Sequence, residues 1–120
     1  MLLVDTSVWV DHLRHGDEAL ADHLRQGRVA VHSGVIGELA LGHLRNREQI
    51  LTLLSDLPQV QQASDAEVLH LIQSRQLMGR GIGYVDAHLL ASCLISATQL
   101  WTRDQRLLRV ADHLRIAAHQ

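Results

Sequence analysis

Apolar residues fall along this chain in two patterns. Short unbroken runs closing on polar residues occur at MLLVDTS (1–7), VAVH (29–32), PQVQQ (58–62), QLWT (99–102) and RIAA (115–118). Such runs mark strands buried on both faces, as in a parallel sheet, rather than strands with one wet face. Between them apolar residues recur every three or four positions, which predicts helices over 7–14, 17–26, 34–44, 48–54, 65–78, 84–96 and 105–113. Strand alternating with helix in this way predicts an open α/β/α fold with a central, mainly parallel sheet of four to five strands.

The punctuation agrees with this division. Ser33 and Ser64 stand where helix N-caps are expected, and Gly16, Gly27 and Gly79 stand at breaks or helix ends. The one proline, Pro58, opens a strand, where a missing N–H costs least. No linker or low-complexity tract interrupts the pattern, so residues 1–120 read as a single domain. The tetrapeptide DHLR, at Asp11, Asp22 and Asp112, recurs at irregular spacing and reads as amphipathic surface.

Composition narrows the chemistry. The core must be aliphatic, because there is no Phe and only two Trp and one Tyr. Trp9 and Tyr84 therefore read first as packing residues. A single cysteine, Cys93, excludes an internal disulfide and a cysteine-based zinc site. No run of about 18 apolar residues is present, which leads us to expect a soluble, cytoplasmic protein with no membrane partner. All eleven Lys or Arg positions are Arg. Without Lys, P-loop nucleotide chemistry and Schiff-base catalysis are excluded. The nine His form no HExxH pattern and lie scattered on polar helical faces; His88 reads as surface.

The thirteen acids sort by whether a local partner accounts for them. Asp11, Asp17, Asp22 and Asp112 each have an Arg three positions away, as does Glu48 with Arg45, and Glu18 has Arg14 four positions back. Glu67 has His70 nearby, Asp65 opens a helix, and Asp56 sits in a polar bend. Asp5, Glu38, Asp86 and Asp104 remain. Asp86, inside GIGYVDAHLLASCL (81–94), has only Ile82, Gly83, Leu89 and Leu90 at helical spacing. A lone carboxylate buried there would cost several kcal/mol without a partner from elsewhere.

Each of the four has a local alternative. Asp5 and Asp104 could cap the helices that follow them, Glu38 could lie on an exposed face, and Asp86 could be a helix N-terminal acid. Their joint placement favours a shared site, because groups at strand ends and early helical turns collect beyond the carboxyl ends of a parallel sheet. Four carboxylates there repel one another. A hard divalent cation resolves the conflict, and an all-oxygen donor set favours Mg²⁺ or Mn²⁺ over zinc. A pocket of that kind suits phosphodiester hydrolysis.

The motifs LLVDTSVWVDHL, GELALG, GYVDAHLLA and LWTRDQRL, in that order, resemble the acidic motifs of PIN-domain ribonucleases, and the length resembles their VapC toxin branch. The resemblance implies that Asp5, Glu38, Asp86 and Asp104 are the catalytic, Mg²⁺-binding acids, with Thr6 and Thr102 as supporting hydroxyls beside the first and last. It also implies an RNA substrate, a homodimer and a cognate antitoxin that inhibits the enzyme. Arg80, Arg103 and Arg106 are placed by sequence to meet RNA phosphates at the rim. Two other classes compete. A phosphoryl-aspartate enzyme would need a Lys this chain lacks, and a non-catalytic RNA- or partner-binding module would have no use for four mutually repelling acids.

Overall fold

The computed structural model describes residues 1–120. Strand β1 (Leu2–Val4) lies at the centre of a parallel sheet, with β2 (Val29–Ala30) on one side and β3 (Gln99–Trp101) on the other. Leu3 pairs with Ala30 and Leu100, and Val4 with Trp101. Every residue of β1 is buried, which explains an unbroken apolar run with no polar face.

The two remaining predicted strands survive as single parallel bridges at the sheet edges. Val31 pairs with Gln59 and Leu100 with Ala117, so five lanes of chain run side by side although only three are strands. Pro58 accepts from the Val31 amide but has no N–H to give, and Val60 returns a single bond to the Val31 carbonyl. At the opposite edge Arg115 takes a left-handed backbone with φ 61°, so extended chain starts only at Ile116.

Seven helices surround the sheet: α1 (Thr6–His15), α2 (Glu18–Arg25), α3 (Ser33–Ala40), α4 (Arg47–Asp56), α5 (Asp65–Arg75), α6 (Tyr84–Ser96) and α7 (Gln105–His113). Helix α5 carries the expected Ser64 cap as a reciprocal capping box with Glu67. Helix α3 departs from expectation at both ends. Its cap is His32, whose Nδ1 accepts from the Gly34 amide at 2.9 Å, and Ser33 is already helical. It stops at Ala40 rather than Leu44, where the Arg47 guanidinium donates to the carbonyl of Ala40, its last residue, and to that of Gly42 just beyond.

Helix α6 packs against α3, α5 and β3, and its middle, Ala87 to Cys93, is buried apart from part of His88. The core is Leu, Val and Ala with Trp9, Cys93, Trp101 and Ile116. Because α6 runs back before β3, its first turn lies at the same edge of the sheet as the carboxyl ends of β1 and β3. No helix is long and apolar enough to cross a membrane.

Candidate active site

Asp5 follows the last residue of β1 and is nearly buried, 5% exposed. Its amide donates to the Trp101 carbonyl at the end of β3, which sets the two strand ends side by side. Its Oδ2 accepts from the hydroxyls of Ser7 at 2.7 Å and Thr102 at 2.8 Å, and caps α1 through the Ser7 amide. Those hydroxyls are themselves held. Thr102 Oγ1 accepts from the Asp104 amide and Ser7 Oγ from the Arg103 amide, so one polar network joins the β1 and β3 ends.

The other three acids reach the same edge from helices. Glu38, exposed on α3, accepts from Thr6 Oγ1 at 2.7 Å through Oε1. Asp86, in the first turn of α6, accepts from the Gly83 amide at 3.0 Å through Oδ2. Asp104 caps α7, its Oδ1 accepting from the Arg106 and Leu107 amides. Burial raises the affinity of the Asp86 carboxyl for its proton above the ordinary range; the Gly83 amide opposes this, and the negative charges of Asp5, Glu38 and Asp104 add to it. Asp86 thus lies within the field of the other three.

A common design emerges. Each acid gives one oxygen to a protein donor and leaves its other oxygen, Asp5 Oδ1, Glu38 Oε2, Asp86 Oδ1 and Asp104 Oδ2, without a protein partner. The local alternatives and the shared site are therefore compatible, since capping by Asp5, Asp86 and Asp104, and the Thr6 bond to Glu38, each occupy only half of the carboxylate. No three of these groups converge closely enough to form an all-protein metal cage. Carboxylate oxygens left open at one edge are the donor type a hard divalent ion such as Mg²⁺ takes, alongside several waters.

The supporting hydroxyls serve acids other than their sequence neighbours. Thr6 holds Glu38 rather than Asp5, and Thr102 holds Asp5 while anchoring only the backbone of Asp104. Ser7, which the sequence reading passed over, makes as many contacts as either. Its signal was a hydroxyl two residues beyond a strand-end acid, the spacing of a local side-chain turn.

The rim arginines divide. Arg80 is exposed in the loop before α6. Arg106 lies across Gly81 of that loop: a Cβ there would come within 2.8 Å of Arg106 Cδ, and the glycine's φ of 78° suits no other residue well. Arg103 is otherwise engaged. Its guanidinium bonds Asp11 at 2.7 Å and also Asp17, and lies 5.5 Å over the Trp101 ring, so it ties α1 and the start of α2 to the β3 loop instead of facing the acids. The Arg103 bond holds the Asp17 carboxyl below the usual range.

His88 is not a free surface group; its Nε2 stands 3.0 Å from Asp65 Oδ1, which also accepts from Tyr84. Trp9 is core. Cys93 is buried, its thiol pushed up to about 12, and takes no part in the site.

The chain matches the PIN-domain family over residues 2–113. It is 48% identical over 108 residues to Ribonuclease VapC32 of Mycobacterium tuberculosis, in strains CDC 1551 / Oshkosh and ATCC 25618 / H37Rv, covering 89% of this chain and 87% of that protein. Among solved structures it resembles FitAB bound to an IR36 DNA fragment, with a TM-score of 0.67 and 19% identity over 99% of this chain and 94% of that one. FitAcB from Neisseria gonorrhoeae superposes with the same TM-score and identity, covering 100% of this chain and 97% of that one. At that identity these two likenesses speak to the fold.

Proposed function

This chain belongs to the PIN-domain family, and from that premise we propose that it is a Mg²⁺- or Mn²⁺-dependent endoribonuclease acting as the toxin of a toxin–antitoxin pair. The observation that carries this reading is the set of four acids at one sheet edge, each with one oxygen anchored and one left open. The relative named a ribonuclease, nearly half identical over most of both chains, supports RNA as the substrate class.

Asp5, Glu38, Asp86 and Asp104 would hold the ion through their open oxygens, directly or through the waters it keeps. Bound there, a divalent ion supplies charge to offset the phosphate and lowers the pKa of water. The chain's own part is positioning. Ser7 and Thr102 fix Asp5, Thr6 fixes Glu38, and the Gly83 and Arg106 amides fix Asp86 and Asp104, so the open oxygens are set before substrate arrives. Arg80, exposed in the loop before α6, and Arg106, lying across that loop, would meet phosphates at the rim. An antitoxin partner and a homodimer belong to the same proposal.

Asp5→Asn and Asp86→Asn should each abolish divalent-dependent cleavage of RNA and relieve growth inhibition on expression, while far-ultraviolet circular dichroism stays native. Metal-dependent cleavage retained by both variants would overturn the site assignment.

A further inference from the structure

Glu38 is also part of the wall of a groove of about 600 Å³ that opens between α1, the end of α3 and the loop leading into α4. Glu38 is thus the residue the groove shares with the acid site. Its floor is apolar, formed by Val10, Leu13, Leu39 and Ile50. Around that floor stand Arg14, His15, His43 and Arg45, with Glu38 the sole acid.

The two arginines are free to bind a ligand. Sequence spacing assigns Arg14 to Asp11, Asp17 or Glu18 and Arg45 to Glu48, but neither guanidinium forms an ion pair or a side-chain hydrogen bond. Asp11 is turned instead to Arg103. Arg47 shapes the wall opposite α1 by holding the Ala40 and Gly42 carbonyls, at 2.5 and 3.3 Å, which ends α3 and sets the course of the loop bearing His43 and Arg45.

A polyanion approaching four carboxylates needs compensating charge beside them, and Arg103, the arginine next to Asp104 in sequence, is committed elsewhere. We propose that this groove is the track for single-stranded RNA on one side of the scissile phosphate. Arg14 and Arg45 hold backbone phosphates, and the Leu13, Leu39 and Ile50 floor receives a base. The occupant is argued from charge: unpaired guanidiniums mark phosphate contacts, and an apolar floor accepts any base by its flat face. The proposal rests on the ribonuclease reading and adds the route by which substrate reaches it.

The test is binding of a short fluorescein-labelled single-stranded RNA to the full chain in EDTA, followed by anisotropy from about 50 to 200 mM salt. Arg14→Ala, Arg45→Ala and the double variant are compared with Arg28→Ala, an exposed position at the amino end of β2, away from the carboxyl ends of the strands. Each groove substitution should weaken binding several-fold and lower the slope of log affinity against log salt by about 0.7. Arg28→Ala should change neither. Unchanged affinity and slope in the double variant, or no RNA binding by the parent chain, overturns the groove. So does unchanged RNA binding combined with loss of inhibition by a co-expressed antitoxin, which reassigns the groove to a protein partner. Cleavage is scored separately with Mg²⁺. A parent chain that binds through the groove but cuts no RNA refutes the ribonuclease reading and leaves the track standing.

Discussion

Asp86 is half-buried, and its carboxyl is pushed up by burial and by the charges of Asp5, Glu38 and Asp104. Between its ordinary value and the raised one, the folded chain keeps a proton that the unfolded chain has released. Stability therefore falls as pH rises through that window and stays lower above it. Asp86→Asn keeps an acceptor for the Gly83 amide and removes the charge. In metal-free buffer it should stabilise the fold at neutral pH by about 1 kcal/mol, the usual yield of relieving a strained functional position. Thermal melts from acid to neutral pH check this: the gain should vanish in acid, and equal melting at neutral pH would count against a charged, uncompensated Asp86. Ser7→Ala tests the positioning network. It should lower cleavage or divalent affinity roughly 10- to 100-fold, as loss of an outer hydrogen bond to a ligand does, with Ser7→Thr restoring it. Wild-type kinetics and metal affinity in Ser7→Ala would remove Ser7 from the site. At this scale the sequence exposed the four acids because no basic residue lay at helical spacing from them. Backbone amides and hydroxyls were the partners it could not show, and these turn three of the acids into helix caps.

The helices were legible from apolar residues at helical spacing, and some also from a readable start, as at Ser64. The strands were harder to bound, since whether PQVQQ or RIAA becomes a strand depends on neighbours across the sheet and on one left-handed residue, Arg115. Helix α3 illustrates what a local pattern hides. Its cap is a histidine, and it ends where an arginine from the next helix reaches back. His32 is 4% exposed and accepts the Gly34 amide through Nδ1, so it must be neutral there, and burial, then the nearby His88, lower its proton affinity. A histidine depressed in this way contributes stability that is present above its unfolded pKa, about 6.5, and is lost as pH falls through the folded value. Protonation would remove the α3 cap, worth about 1 kcal/mol, from the helix that carries Glu38. Urea unfolding between neutral and mildly acid pH should show this decline, and His32→Asn, which retains a capping oxygen, should flatten it. An identical acid-side slope in the variant would locate the titration elsewhere.

The charge of the whole molecule, −2, conceals its distribution. Four negative groups share one edge of the sheet, two unpaired arginines line the groove next to it, and Arg103 is locked to Asp11 and Asp17. Sequence spacing had assigned Asp11 and Asp17 to Arg14. The true partner lies more than eighty residues away, brought in by the β1–β3 pairing. That exchange leaves Arg14 open, and it could be seen only once the topology was known. Metal linkage follows from the same distribution. Because the four acids are brought to one edge only in the folded chain, an ion that binds them there should stabilise the fold by mass action, about 2.7 kcal/mol at a concentration 100 times its dissociation constant. For a domain of this size each kcal/mol is worth roughly 4 °C in melting temperature. Titrating Mg²⁺ or Mn²⁺ should therefore raise the melting temperature by about 10 °C at saturation of that order. The Asp5→Asn/Asp86→Asn double variant should melt higher without metal and respond little to it. A chain whose melting temperature ignores both ions, or a double variant that responds as strongly as the parent, would show that the acids do not form the ion's site.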